Sequence, residues 1–306
     1  MKRFIAKIIF FSIPVFLILC ICEISARKIP NEYSFKHSYL ENNIDKIEIL
    51  SLGSSVGRSG INPMEFESET FNAGNVSQSL DIDIELFNKY INRASNLNTI
   101  ILPLIPNSYW SKLEESIEHW RLRKYNLYMN IPIHTLNPEY NLEIYNLKST
   151  FQYLIDYYIK NKNILECDNK GMGLDSISDM DFKESGMFAA NLHNCNMDNT
   201  IEQELNTNLE KIFKTCLDKN IDVYLILMPC FHTYYDLINS NQLNRMDSIS
   251  NSWALKYPNI YYYNLLKDNR FVQEDFRNAN HLSIKGASKL SKYINNIIIE
   301  NKSNIQ

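Results

Sequence analysis

The sequence predicts an α/β fold, a three-layer α/β/α sandwich built on a mostly parallel sheet of five strands. Three observations lead to this prediction. Runs of β-prone residues alternate along the chain with amphipathic helical patterns, as they do in βαβ units. Two of these runs are almost entirely apolar, which is typical of parallel strands covered on both faces. With 306 residues, of which 45% are hydrophobic, the chain can also bury one substantial core.

The amino terminus precedes this alternation and has a different character. Basic residues come before a stretch without charges over 8–22, and charged residues follow it. Because a basic flank favours the cytoplasmic side of a membrane, we predict a signal anchor over 1–28 with the rest of the chain outside. Together with 4–7 the stretch is long enough for a short transmembrane helix. The range 8–22 alone would suit a cleaved signal peptide, and this alternative stays open.

Five β-prone runs are predicted as the strands of the sheet. The third and fourth are nearly continuous in apolar residues, as buried parallel strands should be. The five predicted strands are 47–52, 70–73, 99–104, 221–228 and 260–264.

Apolar residues at helical spacing predict helices after the second, fourth and fifth strands. The helix after the second strand carries one apolar stripe, with Ser79 or Asp81 suited to cap it. The last helix of the chain has its apolar stripe at Ile284, Ala287, Leu290, Tyr293, Ile294, Ile297 and Ile298.

We expect an anchor over 1–28, a linker over 29–45, an α/β domain over 46–300 and a polar tail over 301–306. A helical insertion over about 105–199 interrupts the domain, and we interpret it as a cap. Its aromatic residues could stack on sugar rings or could pack in a core. They include Trp110, Trp120, Tyr125, Tyr153, Tyr157 and Tyr158.

A serine stands where the first predicted strand should give way to a helix. The segment reads Ser51-Leu-Gly-Ser-Ser-Val-Gly-Arg-Ser-Gly60. A Gly-Ser-Ser turn after a buried strand reverses the chain tightly and leaves the second hydroxyl at the carboxyl edge of the sheet. Ser55 is therefore the candidate nucleophile, although serine and glycine also fill strand-to-helix turns that have no catalytic role.

A histidine occupies a second strand-to-helix junction, directly before the last helix. The segment 275–287 reads Asp-Phe-Arg-Asn-Ala-Asn-His-Leu-Ser-Ile-Lys-Gly-Ala, which places His281 just ahead of the first helical turn. Ser55, Gly74, Asn107 and His281 all fall just beyond predicted strand ends. In α/β sheets this is the edge where ligands bind, so we expect these residues to share one site.

These two segments, together with Phe71-Asn-Ala-Gly-Asn-Val-Ser77, resemble the SGNH (GDSL-type) hydrolase and acyltransferase superfamily over roughly 47–298. The resemblance implies a flavodoxin-like arrangement of the sheet. It also implies that Ser55 is the nucleophile and that His281 is the base, with Asn278 at the position of the residue that orients the imidazole.

The same resemblance implies an oxyanion hole, a group of hydrogen-bond donors around the developing negative oxygen. The backbone amides of Ser55 and of the turn from Gly74 to Ser77 would form it. The side chain of Asn75 or Asn107 could add a further donor.

The sequence departs from the family pattern at several positions. Ser54 replaces the aspartate of the Gly-Asp-Ser block, Ser77 replaces a glycine, and Asn107 is all that remains of a Gly-x-Asn-Asp block. Asn278 replaces the aspartate of the Asp-x-x-His-Leu block. Its carbonyl oxygen can fix the histidine tautomer, but it adds no counter-charge to the imidazolium. We therefore expect a slower enzyme, or one that uses another acid.

Asp275 and Asp268 are the nearest alternative acids in the sequence. Either would restore the counter-charge that Asn278 lacks if its carboxylate reached the imidazole of His281.

The function implied by the resemblance is two-step acyl transfer through an acyl-serine. With water as acceptor the protein would be an O-acetyl esterase, and with a sugar hydroxyl an O-acyltransferase. An SGNH domain anchored outside the bacterial cytoplasmic membrane resembles the proteins that modify capsule, exopolysaccharide or cell-wall polymers. The resemblance therefore implies a glycan substrate and, as partner, a membrane-embedded acyl donor protein. The alternative is an inactive SGNH-like module that binds a glycan or scaffolds polysaccharide assembly.

Other classes of partner find no support in the sequence. A net charge of −4 gives no general attraction for nucleic acid, so we expect no nucleic-acid partner. Short Cys-x-His pairs lack further ligands in register, and we expect no metal. The glycines after the first strand lack the lysine of a phosphate-binding loop, and we expect no cofactor.

Overall fold

A computed structural model of the chain describes residues 1–133, 135–174 and 180–303. The chain forms two compact units. The smaller one combines Met1–His37 with Trp120–Glu166, and the larger one combines Ser38–His119 with the chain from Cys167 onward.

The larger unit contains a parallel sheet with the strand order β2-β1-β3-β4-β5, and helices flank it, which confirms the predicted fold class. Because the chain moves outward in one direction from β1 to β2 and in the other from β3 to β5, the order reverses between β1 and β3. Ligands in such sheets bind at this switch point, beyond the carboxyl ends of the strands. The strands are β1 (Ile49–Ser51), β2 (Thr70–Asn72), β3 (Thr99–Leu104), β4 (Asp222–Leu227) and β5 (Ile260–Asn264).

The helices of the chain include those predicted after the second, fourth and fifth strands. They are α1 (Lys2–Arg27), α2 (Glu32–Asn43), α3 (Ser55–Gly60), α4 (Leu80–Tyr90), α5 (Leu122–Tyr128), α6 (Pro138–Asn141), α7 (Leu147–Leu154), α8 (Phe182–His193), α9 (Asn199–Asp218), α10 (His232–Tyr235), α11 (Ser240–Lys256) and α12 (Ile284–Ser303).

One face of the sheet packs on the last helix. Side chains that alternate along the strands, such as Ile49, Ile101 and Ile226, share a buried cluster with Leu290 and Ile294 of α12. This is the stripe that the helical spacing predicted. Its burial places the amino-terminal end of α12 beside α3, at the edge of the sheet where the serine turn lies.

A short antiparallel hairpin precedes α12 and was not predicted. Its strands are β6 (Phe276–Asn278) and β7 (His281–Leu282). Strands this short carry no readable alternation of polar and apolar residues, which explains why the sequence did not reveal them.

The smaller unit contains α1, α5, α6, α7 and a π-helical turn at Ile155–Ile159. By length and composition, α1 could span a membrane. The range expected to be a linker, 29–45, contains helix α2. The predicted insertion is divided between the two units, and of the predicted tail, residues 304–306 lie outside the described residues.

Candidate active site

The serine turn between β1 and α3 is packed tightly against the sheet. Gly53 has a φ of +99°, in the left-handed region that favours glycine. A Cβ at this position would lie only 3.1 Å from the Cδ of Pro103 on β3. Ser54 precedes α3, and Ser55 is the first residue of that helix. The half-buried Ser55 therefore lies just beyond the carboxyl end of β1.

The structure brings Ser55 and His281 into contact. Ser55 Oγ lies 2.8 Å from His281 Nε2, although 226 positions separate the two residues in the sequence. The β6–β7 hairpin holds the histidine, since Asn278 and His281 are paired across it. This distance is within the range at which a hydroxyl can pass its proton to an imidazole.

Asn278 fixes which ring nitrogen of His281 carries the proton. Its Oδ1 accepts the backbone N–H groups of Asn280 at 3.2 Å and of His281 at 3.0 Å, and these two donors identify the oxygen end of the amide. The same Oδ1 lies 3.0 Å from His281 Nδ1. Because an amide oxygen only accepts hydrogen bonds, Nδ1 carries the proton of the neutral ring. Nε2 then presents its lone pair to Ser55.

Asp275, one of the two alternative acids, is engaged elsewhere. It is fully buried, and its Oδ2 accepts hydrogen bonds from Lys289 Nζ at 2.7 Å and from the N–H of Val272 at 3.1 Å. Burial alone would raise the pKa of Asp275, but these hydrogen bonds and the lysine charge hold that pKa below its ordinary value. Its carboxylate therefore stabilises the loop before α12.

Asp268, the other alternative acid, binds Arg270. The Asp268 Oδ1 atom accepts from Arg270 Nε at 2.9 Å, and this hydrogen bond lowers the pKa of the carboxyl. Of the three candidate orienting residues, Asn278 is the one whose side chain bonds Nδ1 of His281.

The turn after β2 already uses several amide groups that were predicted to hold an oxyanion. The N–H of Gly74 donates to Asn72 Oδ1 at 3.0 Å, and the N–H of Asn75 donates to the carbonyl of Gly53 at 3.2 Å. The Asn75 side-chain nitrogen donates to Gln78 Oε1 at 2.9 Å. A hydrogen bond from these groups to an oxyanion would compete with bonds that hold the turn together.

The remaining oxyanion candidates, Ser77 and Asn107, differ in their surroundings. Ser77 is half-buried and has a φ of +58°, in the left-handed region that favours glycine. Asn107 follows β3 and is buried, and its Oδ1 forms no hydrogen bond with any described residue. This oxygen can still accept a hydrogen bond, whereas an oxyanion would need the donor Nδ2 of the same amide.

A ring of buried hydrogen bonds links the serine turn to the turn after β2. Asp83 Oδ1 accepts the N–H of Gly53 at 2.9 Å and the Nε2 of Gln78 at 2.7 Å. Gln78 accepts from the side chain of Asn75, whose own N–H returns to the carbonyl of Gly53. The ring sets the spacing between Ser55 and the second turn, the two places from which oxyanion donors were predicted.

Sequence reasoning missed three residues that position the site: Gln78, Asp83 and Ser185. Ser185, on α8, accepts the N–H of Ala279 at 3.1 Å and so holds the peptide between Asn278 and His281. None of the three lies in a motif. An acidic residue in the first turn of a helix, such as Asp83, is ordinarily explained by the helix dipole.

Asp83 is expected to make stability depend on pH. Burial raises the pKa of its carboxyl to about 7, and the hydrogen bonds from Gly53 and Gln78 offset only part of this effect. Between the unfolded pKa and about 7 the folded protein therefore binds the proton more tightly than the unfolded chain does. Stability falls as pH rises through this interval, by up to roughly 4 kcal/mol at about 1.4 kcal/mol per pKa unit.

The variant Asp83→Asn removes this titration and keeps an amide oxygen for Gly53. Between about pH 5 and pH 8 we expect the Tm of the parent, in detergent micelles, to fall more than that of the variant. Glu85→Gln, an exposed position on the same helix, is the matched control and should behave like the parent. Equal pH dependence in the parent and in Asp83→Asn would rule out Asp83 as the source.

The aromatic residues of the predicted cap differ in their exposure. Trp110 and Tyr125 are buried, and Trp110 Nε1 donates to Glu202 at 2.8 Å, so packing explains these two. Tyr158 is half exposed. The guanidinium of Arg121 lies over the ring of Trp120, 4.4 Å from its centroid.

The site can carry out proton transfer between a hydroxyl and an imidazole whose second nitrogen is fixed. This is the arrangement that nucleophilic catalysis by serine requires. Across the described ranges, no group of three or more His, Cys, Asp or Glu side chains is placed to hold a metal ion.

Comparisons with known proteins give low similarity. No family model and no curated protein matches the chain. Among solved structures, the chain is similar to a proposed platelet activating factor from Streptococcus pneumonia, with 12% identity and a TM-score of 0.44 over 94% of this chain and 98% of that one. It is also similar to a proposed acylhydrolase from Bacteroides fragilis, with 10% identity and a TM-score of 0.43 over 86% and 95% of the two chains. Similarity at this level carries no argument about function.

Proposed function

We propose that the chain is a serine-dependent acyl-transfer enzyme, with Ser55 as nucleophile, His281 as base and Asn278 as the residue that orients the imidazole. The observation that carries the proposal is the pair of hydrogen bonds at His281, 2.8 Å to Ser55 Oγ and 3.0 Å to Asn278 Oδ1. The resemblance of the serine and histidine segments to the SGNH superfamily supports the same roles.

In the first step, Ser55 Oγ attacks the carbonyl carbon of an ester while its proton moves to His281 Nε2. The imidazolium gives this proton to the departing alcohol as the C–O bond breaks, and an acyl ester remains on Ser55. In the second step, an acceptor hydroxyl loses its proton to Nε2 and attacks the acyl carbon. Ser55 leaves and recovers the proton from His281.

The amide of Asn278 is expected to make both acyl-transfer steps slower than a carboxylate at this position would. It holds Nδ1 of His281 by accepting a hydrogen bond, but it carries no charge to stabilise the imidazolium that forms in each step. With Asp275 and Asp268 bound to Lys289 and Arg270, we expect turnover below that of an enzyme with an aspartate at this position.

The proposed oxyanion donors are the N–H of Ser55 and the side chain of Asn107. The first N–H groups of a helix have no acceptor within the helix, and Ser55 is the first residue of α3. Asn107 follows β3, the neighbour of β1, and would donate through its side-chain Nδ2, because its unpaired Oδ1 can only accept. A well-placed donor of this kind contributes a factor of about 10² to 10³ in rate.

We further propose that α1 anchors the protein in the bacterial cytoplasmic membrane, with the enzymatic unit outside. The basic residues Lys2, Arg3 and Lys7 at the amino-terminal end of α1 and the apolar length of this helix support this orientation. The family resemblance then favours a glycan substrate, such as capsule, exopolysaccharide or a cell-wall polymer, and a membrane-embedded acyl donor protein as partner.

The proposal is tested with purified full-length protein in detergent micelles. It should release p-nitrophenol from p-nitrophenyl acetate. An added chito-oligosaccharide separates the two forms of the reaction, because an esterase yields free acetate whereas a transferase yields acetylated sugar. Retained glycan binding without turnover of any ester would contradict the proposal and favour the alternative, a non-catalytic binding or scaffolding module.

A further inference from the structure

Helix α7 and the π-helical turn after it expose a row of apolar side chains. Leu147, Phe151 and Ile155 are four positions apart and so share one face of the helix. Tyr158 and Ile159 continue the row. These five side chains are between 38% and 73% exposed, which is unusual for large apolar residues that are contiguous on a surface.

This row lies beside the carboxyl end of α1. The hydroxyl of Tyr158 donates to the carbonyl of Ser25 at 3.1 Å. Glu23 accepts the N–H of Ile144, in the segment just before α7, at 2.9 Å. Helices α1 and α7 are also in contact with each other. Helix α7 is therefore fixed against the final turns of the apolar helix.

The burial of α1 side chains changes near the carboxyl end of that helix. Its large apolar side chains are exposed from Phe4 to Ile18 and also at Ile21 and Ile24, whereas Glu23 and Ala26 are buried. The Glu23 carboxylate accepts hydrogen bonds from the side chain of Arg27 and from the backbone N–H groups of Glu143 and Ile144. These bonds take the place of hydration by water. One face of α1 is therefore covered by protein from about Glu23 onward, where Glu23 and Ser25 bond the segments that flank and follow α7.

We infer that the exposed face of α7 and the turn 155–159 rests in the lipid surface of the bilayer that α1 spans, as an interfacial helix. The inference depends on the membrane anchor proposed above. An apolar face held beside the end of a transmembrane helix is already at the depth of the headgroup and acyl boundary. No second protein is needed to cover it.

The polar residues around the row fit this position. Lys148 and Lys160 are exposed at its borders. Their long side chains can carry the charge outward to the headgroups while the stems follow the apolar face. Tyr158 fits this position as well, because tyrosine is enriched at membrane interfaces, where its ring contacts an apolar region and its hydroxyl a polar one.

The test introduces a tryptophan at Phe151 and measures its quenching by brominated lipids in full-length protein reconstituted in nanodiscs. Ser149→Trp is the matched control. Two positions at about 100° per residue place it on nearly the opposite side of α7, and it is also exposed. Phe16→Trp, in the middle of α1, reports whether the anchor spans the bilayer. Emission of the parent protein is subtracted in each case.

Emission from Phe151→Trp should fall roughly two-fold or more in brominated lipid, and emission from Ser149→Trp should change little. Quenching at position 16 without quenching at 151 would overturn the interfacial helix and leave the anchor intact. Equal quenching at 149 and 151 would also overturn it, since no single face would then contact lipid. The absence of quenching at position 16 would remove the anchor and the inference together.

Discussion

Replacing Ser55 by alanine is expected to lower the turnover of a small acetyl ester by at least about 10³-fold, and His281→Ala should cause a loss of similar size. Each change removes one partner of the 2.8 Å contact between Ser55 Oγ and His281 Nε2. Without the hydroxyl no acyl-serine can form, and without the imidazole the hydroxyl has no base. Because the two groups act as a unit, the double variant should be little slower than either single one.

The measurement is the initial rate of p-nitrophenol release by full-length protein in micelles, with the Tm of each variant recorded alongside. Ser252→Ala, an exposed serine on α11, is the matched control and should keep the parental rate. Parental turnover in Ser55→Ala would show that hydrolysis occurs elsewhere, and the catalytic role of the serine turn would be lost.

Asn278→Ala is expected to lower kcat on the order of 10² to 10³-fold. The change removes the acceptor of three hydrogen bonds, from the N–H of Asn280, the N–H of His281 and Nδ1 of His281. The ring can then turn, and the tautomer with a free Nε2 lone pair is no longer favoured. A kcat within about twofold of the parent would contradict the orienting role.

Asn278→Asp tests the same position in the opposite direction. A carboxylate keeps the hydrogen bonds and adds the counter-charge that an imidazolium needs, so kcat should rise above that of the parent. It also favours the protonated ring, which is inactive as a base. The acid limb of the pH–rate profile should therefore move to higher pH, by about one unit or more. An unchanged profile would mean that residue 278 does not act on His281.

The sheet could be predicted because its strands and the helices after them have clear patterns of apolar residues. The strands β3 and β4 are apolar after their first residues, Thr99 and Asp222, and the helices after β2, β4 and β5 each carry one apolar stripe. Periodicity of this kind depends only on local sequence. The smaller unit could not be predicted in this way, because it joins Met1–His37 to a distant segment, Trp120–Glu166, by contacts that no local pattern encodes.

In the candidate site, too, residues in local motifs could be predicted and residues that act through distant contacts could not. Ser55, His281 and Asn278 stand in recognisable segments, and the packing of α12 and of the β6–β7 hairpin beside α3 brings the first two together. Asp83 and Ser185 could not be found, since each acts by accepting a single backbone N–H from a distant turn. Such a bond depends on the packing of α4 or α8 against that turn, which only the folded chain reveals.

The most direct test of the acyl-transfer mechanism is to find the residue that carries the acyl group. Full-length protein is incubated with p-nitrophenyl acetate, quenched in acid and digested, and the peptides are analysed by mass spectrometry. An acetyl group should appear on Ser55 in the parent and be absent in His281→Ala, because the 2.8 Å contact makes the imidazole the base for that hydroxyl. Acetylation of a different residue, or equal acetylation of Ser55 in the two proteins, would contradict the mechanism.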